Sequence, residues 1–170
     1  YTDKKKINED DQKVICGLGG FYANSKLIAE NIFNYFSEKG LKVTILRPSS
    51  VYGLGMDKEA LIPTLISKAL SDDLIEVFDH NNKINFIHAF DVANAAFLSY
   101  LKKVEGTYNI ASKDTVSILE LANEIIKINK KGTVLPKNLS NNPIRRFDLN
   151  FNKAAKNIKF SPLINISDGI

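Results

Sequence analysis

The chain has 170 residues, 44% hydrophobic and 25% charged, with a formal net charge of +4, which is one domain's worth of ordinary globular sequence with enough length for a sizeable core. No apolar run approaches the roughly 20 residues that span a bilayer, and the basic residues, apart from Lys4-Lys5-Lys6 with Glu9, Asp10 and Asp11 close behind, are spread out rather than gathered into a nucleic-acid patch. A single cysteine, Cys16, excludes an internal disulfide framework and suits a reducing, cytoplasmic setting, and with His80 and His88 it offers no metal-ligand spacing.

Residues 1–13 are polar, lack periodicity and read as a loop. No signal peptide opens the chain, which starts at Tyr1 rather than a methionine, so a fragment of a longer protein is expected. Residues 14–22, VICGLGGFY, allow two readings. Gly17, Gly19 and Gly20 can form the turn of a dinucleotide-binding βαβ unit, with Arg47 on the 2′-phosphate of NADP. The third glycine position is then Tyr22 or Ala23, and no acidic residue ends the following strand. A loop whose glycines approach an active site closely is preferred.

Residues 22–39 are predicted as a helix with an apolar stripe of Ile28, Ile32 and Tyr35 or Phe36, widened by Ala29, Phe33 and Phe36, of which Phe33 and Phe36 are expected in the core, and with Gly40 placed as its C-terminal cap. Tyr22 and Lys26, four apart, share a helix face. An ammonium beside a phenol favours phenolate and lowers a tyrosine's pKa from roughly 10, which suits proton transfer near neutral pH. Residues 42–47 read as a strand between Gly40 and Pro48. A helix over 58–71 has Leu61, Ile62, Leu65, Ile66 and Leu70 as its core stripe, with Pro63 in its first turn. Residues 74–78 read as a strand ending in an aromatic, Phe78, that is expected to be buried.

A strand at 85–88 and a helix over 92–103 follow. Asp91 is expected to be the helix N-cap, and His88, with no partner at useful spacing, to be structural. Residues 106–111 are a strand. Asp114 to Ser117 supply cap candidates for a helix over 118–129, and 133–135 is a short strand before an Asn- and Pro-containing loop. The strands at 42–47, 85–88 and 106–111 alternate with helices, which predicts an α/β fold with a parallel sheet.

Tyr22-xxx-Lys26, the run SKLIAEN, the strand LKVTILRP and the turn SSVYGLG together resemble the extended short-chain dehydrogenase/reductase family. Its members are NAD(P)-dependent epimerases and dehydratases, mostly of nucleotide sugars. The likeness continues through NFIHAFD, YNIA and the Arg145–Asp148 segment, where relatives have RDFIHVxD, YNIA and RxxD. It implies the C-terminal part of a Rossmann-like doubly wound sheet plus a small α/β substrate-binding lobe. Residues 1–53 and 85–112 would form the sheet-associated catalytic part, and 54–84 and 113–170 the lobe. The cofactor-binding half, with its GxxGxxG turn and the catalytic Ser or Thr, would lie upstream, so these residues alone are expected to bind NAD poorly and to catalyse nothing.

The resemblance further implies roles for individual residues. Tyr22 would be the general acid/base, and Lys26 would assist it and hold the cofactor ribose. Pro48 and Val51 would line the nicotinamide. Ser50 stands where relatives place an asparagine on the substrate. Leu61, Ile62 and Phe78 would meet the nucleotide, and Arg145 its phosphate. The arginine that contacts the diphosphate in relatives is replaced by Ile84, beside Lys83. A homodimer through the helix at 22–39 is implied, with no nucleic acid and no membrane as partner. NAD is favoured over NADP. The alternative is a non-catalytic NAD(P)-binding or sensing relative that kept the scaffold.

Overall fold

The computed structural model describes residues 6–13, 20–78, 82–137 and 146–170. Cys16, Gly17, Gly19, His80 and Arg145 lie outside the described residues. The chain forms α1 (Gly20–Glu38), β1 (Thr44–Pro48), β2 (Ser50–Tyr52), α2 (Leu61–Leu70), β3 (Leu74–Phe78), β4 (Lys83–Ile84), β5 (Phe86–His88) and α3 (Ala89–Lys102). Then come β6 (Gly106–Ile110), β7 (Val116–Ser117), α4 (Ile118–Asn129), β8 (Thr133–Lys137), β9 (Arg146–Phe147), α5 (Asn152–Ile158) and α6 (Ile166–Gly169).

Helix α1 ends as Gly40 foretells. Gly40 has φ +94°, and the amide of Leu41 returns 3.0 Å to the Phe36 carbonyl, a closure that needs a residue without Cβ strain. Helix α4 starts on a full capping box. Ser117 Oγ accepts from the Glu120 amide at 3.1 Å, and Glu120 Oε2 accepts from the Ser117 amide at 2.6 Å. Those hydrogen bonds hold the Glu120 carboxyl below its ordinary value.

Strand β1 runs parallel to β6, with Thr44 opposite Gly106 and Pro48 opposite Ile110. The expected strand at 85–88 does not join them. As β5 it pairs in parallel with β2, Ser50 opposite Phe86, because the chain leaves β1 at Ser49 and starts a new ladder. β3 pairs with β8 in parallel, and β4 lies between β7 and β9.

Two cores result. The first joins Ile62, Leu65 and Ala69 of α2, Ile75 and Val77 of β3, Leu121, Ala122 and Ile125 of α4, and Tyr52. The second joins Ile87, Ala95, Tyr108, Ile110, Ala154, Ile158 and Phe160. Ala154, Ile158 and Phe160 thus pack against residues of β5 and β6.

Expectations of burial and capping are corrected, beginning with Leu61 and Leu70 of the α2 stripe, which are exposed rather than in the core. Phe33 and Phe36 are each 49% exposed, and no residue of α1 is buried. Phe78 is also exposed: β3 alternates, with Ile75 and Val77 inward and Leu74, Glu76 and Phe78 outward. Asp91 is not the N-cap of α3. The helix starts earlier, on His88, whose Nδ1 accepts from the Phe90 amide at 3.2 Å. Asp91 is instead fully buried and accepts the amides of Leu163 and Ile164 at 3.0 and 3.1 Å, fastening the C-terminal segment over the sheet.

Candidate active site

Tyr22 and Lys26 occupy successive turns on one face of α1, as their spacing requires. The Lys26 ammonium lies 5.2 Å from the centre of the Tyr22 ring, within range of an attraction between a cation and an aromatic face. Tyr22 is 71% exposed. Both line a cleft of about 770 Å³ between α1 and β1, together with Glu30, Phe33, Arg47 and Pro48. Glu30 is one helical turn beyond Lys26 on the same face.

Glu30 ties the cleft together. Its Oε1 accepts from Arg47 Nε at 2.8 Å, and its Oε2 accepts from Arg47 Nη2 and from Lys13 Nζ, each at 2.7 Å. Arg47 Nη1 donates to the Glu9 carbonyl at 2.8 Å. Burial pushes the Glu30 carboxyl up, but the hydrogen bonds from Arg47 and Lys13 and their charges outweigh it and hold the group below its ordinary value. Arg47 is thus committed to a carboxylate by a two-pronged contact, which removes it as a ligand for a cofactor 2′-phosphate.

Beyond β1 the chain turns at the carboxyl ends of β1 and β6, the place where open α/β sheets bind ligands. Pro48, Ser50 and Val51 are exposed there. The turn is held from below by Asn85, which is buried. Asn85 Oδ1 accepts from Ser49 Oγ at 2.7 Å and the Ser112 amide at 2.9 Å. Its Nδ2 donates to the carbonyls of Ser112 and Asp114 at 3.0 and 3.1 Å. All four of its side-chain hydrogen-bonding places are filled. The Ser50 amide completes the hold on the Asn85 carbonyl at 3.1 Å. Tyr52 turns inward instead. Its hydroxyl donates to the Asn165 carbonyl at 3.1 Å, and burial, with the negative charges of Asp91 and Asp168, pushes its phenol up to about 12.

The structure brings Tyr22, Lys26 and Pro48 together on one cleft, and Ser50 and Val51 to its neighbouring turn. It does not bring Leu61, Ile62 or Phe78 to that cleft. Ile62 is a core residue. Leu61 and Phe78 are exposed elsewhere, with the Lys137 ammonium 5.9 Å from the Phe78 ring. Ile84 pairs with Val116 and Phe147, and the neighbouring Lys83 acts on the Glu120 carboxylate. Sequence reading missed Glu30 and Asn85. The signal for Glu30 was present: it follows Tyr22 and Lys26 at the same four-residue step. Asn85 had no local signal, because its partners are 27 to 36 residues away.

Residues 1–111 match a family described as NAD dependent epimerase/dehydratase. The chain belongs to that family. Among curated members, the epimerase/dehydratase relative dTDP-D-glucose 4,6-dehydratase of Bos taurus is 35% identical over 123 residues, 65% of this chain and 32% of that protein. Among solved structures, UDP-N-acetylglucosamine 4-epimerase from Bacillus cereus is 25% identical, with a TM-score of 0.85 over 99% of this chain and 57% of that one. UDP-glucuronic acid 4-epimerase from Bacillus cereus, in complex with UDP-glucuronic acid and NAD, has a TM-score of 0.84 at 23% identity, over 98% of this chain and 54% of that one. At that identity the last likeness shows the fold alone. The chain thus spans about a third of the curated relative and just over half of each structure. Among the described residues no helix is long and apolar enough to cross a membrane.

Proposed function

We propose that this chain is the C-terminal catalytic and substrate-binding part of an NAD-dependent nucleotide-sugar epimerase, dehydratase or reductase. The observation that carries the reading is the Lys26 ammonium stacked beside Tyr22 at the mouth of the α1–β1 cleft. Family membership supports it, as do relatives and neighbours whose substrates are dTDP- and UDP-sugars and one of which holds NAD.

The residues present fit a dinucleotide cofactor. Lys26 is exposed on the cleft and makes no ion pair among the described residues, so its three N–H groups can serve ribose hydroxyls. Pro48 and Val51 offer an apolar edge beside it. A bound nicotinamide would supply a hydride acceptor for the substrate, used reversibly in an epimerase or dehydratase. As the phenolate, Tyr22 takes the proton from a substrate hydroxyl as the carbonyl forms, and as the phenol it returns that proton to the carbonyl oxygen when the carbonyl is reduced. Lys26 stabilises the phenolate that accepts the proton, and a positioned acid/base of this kind is worth roughly 10²–10⁴-fold. Ser50, at the exposed turn, and Arg145 are assigned to the substrate.

The other half of the dinucleotide-binding sheet is assigned to a segment outside these 170 residues. Two features support this: among the described residues β1 has a strand on one edge only, and α1 buries nothing. The outward apolar residues of α1, Ile28, Ile32 and Tyr35, are assigned to a second copy of the chain in a homodimer. The setting is assigned to the cytoplasm, in keeping with one cysteine in the chain.

Replacing Tyr22 with Phe in the full-length protein should abolish turnover of the accepted nucleotide sugar while leaving NAD affinity unchanged by calorimetry. Turnover equal to wild type would assign the proton transfer to another residue. An absence of wild-type turnover across a panel of dTDP- and UDP-sugars, with NAD still bound, would make the protein a sensing relative.

A further inference from the structure

We propose that Arg47, assisted by Lys13, is a positioning residue for the catalytic pair: it occupies Glu30 so that Lys26 stays with Tyr22. The consequence for turnover rests on the catalytic reading above; the geometry does not.

Tyr22, Lys26 and Glu30 follow one another at four-residue steps and form a single row on α1. A lysine and a glutamate four apart on a helix are within reach of an ion pair. That pair is not made. Among the described residues Lys26 has no ion pair, and its ammonium sits against Tyr22, 5.2 Å from the ring centre. Both Glu30 oxygens face away from the row, toward Arg47 on β1 and Lys13 on the loop. The Arg47 and Glu30 side chains are only 13% and 16% exposed, so water screens their attraction little.

Counting charges shows what this does to Lys26. Glu30, Arg47 and Lys13 together carry +1. A free Glu30 would draw the ammonium down the helix, and the clamped cluster repels it toward the phenol. Among the described residues, the Glu9 carbonyl also faces the cluster and accepts from Arg47 Nη1. Without Arg47, one Glu30 oxygen loses its donor, and the nearest remaining ammonium on the row is Lys26. Helix α1 buries no residue, so packing does not otherwise fix its face.

Ring-current shifts test this in the 170-residue chain. The Lys26 side-chain methylene protons should resonate upfield because of the Tyr22 ring, with Tyr22→Leu giving the unshifted reference. Arg47→Met should lose at least half of that upfield shift. Arg47→Met combined with Glu30→Gln should recover it, because the competing carboxylate is gone. If the clamp only anchors the helix, the double variant will be as shifted as Arg47→Met alone, and the proposal fails. It fails also if Arg47→Met leaves the shift unchanged. Should the amide spectrum show Arg47→Met unfolded, Lys13→Met keeps the fork in place and should lose a smaller part of the shift; no loss there overturns the proposal.

In the full-length protein, Arg47→Met should raise the KM for NAD and displace the pH profile of kcat toward alkaline pH, and the double variant should reverse both. Intact ring-current behaviour with no turnover in wild type would sink the catalytic reading and leave the positioning role standing. Turnover with a flat ring-current series would do the opposite.

Discussion

Helices α1 and α4 are both amphipathic, yet they end up in opposite states. In α4, twelve residues bury Leu121, Ala122 and Ile125 against α2 and β3. In α1, nineteen residues bury none, and Glu30 joins the helix to the described residues Arg47 and Lys13. An apolar stripe therefore signals a need for cover without saying who supplies it. The lobe around α4 finds its cover within these residues. The cover of α1 is assigned to the rest of the protein.

That contrast can be broken by substitution. Ile125→Ala should cost about 2–5 kcal/mol, the usual range for truncating a fully buried aliphatic side chain, read by urea unfolding of the 170-residue chain. Arg47→Met should cost on the order of 2 kcal/mol, somewhat below the range for breaking a fully buried pair because some solvent reaches this one. Its loss should appear as faster amide exchange in α1 with α4 unchanged.

The two regions should also fail at opposite ends of the pH scale. The folded Glu30 carboxyl lies below its ordinary value of 4.5, so its stabilisation is complete above that value and is lost as pH falls through the lower folded value. The folded Tyr52 phenol lies at about 12 against an ordinary 10.0, so its contribution is complete below 10 and is lost as pH rises toward 12. Amide exchange should accelerate first in α1 in acid and around Tyr52 in alkali, and Tyr52→Phe should remove the alkaline effect. Equal protection of both regions at either end would contradict the division.

Ser117→Ala, which removes the capping box, should cost about 1 kcal/mol. Ile32→Ala on the exposed face of α1 should stay within about 0.5 kcal/mol in this chain. A cost near that of Ile125→Ala would mean that the α1 stripe is covered here after all.

Local pattern found the longer elements, α1 to α4 and β1, β3, β5, β6 and β8, but not the short strands β2, β4, β7 and β9 or the helices α5 and α6. Tyr22-xxx-Lys26, the Gly40 stop, the strand at 74–78 and Ser117 as a cap all act over a few residues, and each stands where periodicity and cap chemistry put it. The same local logic misplaced Asp91, because a capping residue and a first-turn acid look alike until the start of the helix is known. It also buried Phe33, Phe36 and Phe78, because hydrophobicity marks a side chain that prefers cover, and cover depends on what lies opposite.

The sequence by itself determined the family, the α/β class and the Tyr22–Lys26 pair, because a helix makes residues four apart neighbours wherever it is placed. Only the tertiary structure decided that Arg47 serves Glu30, that Asn85 holds the turn at Ser49 and Ser50, and that β5 pairs with β2. Each of those contacts joins residues at least 17 positions apart. Chain folding, not spacing, brings such residues within hydrogen-bonding or packing distance.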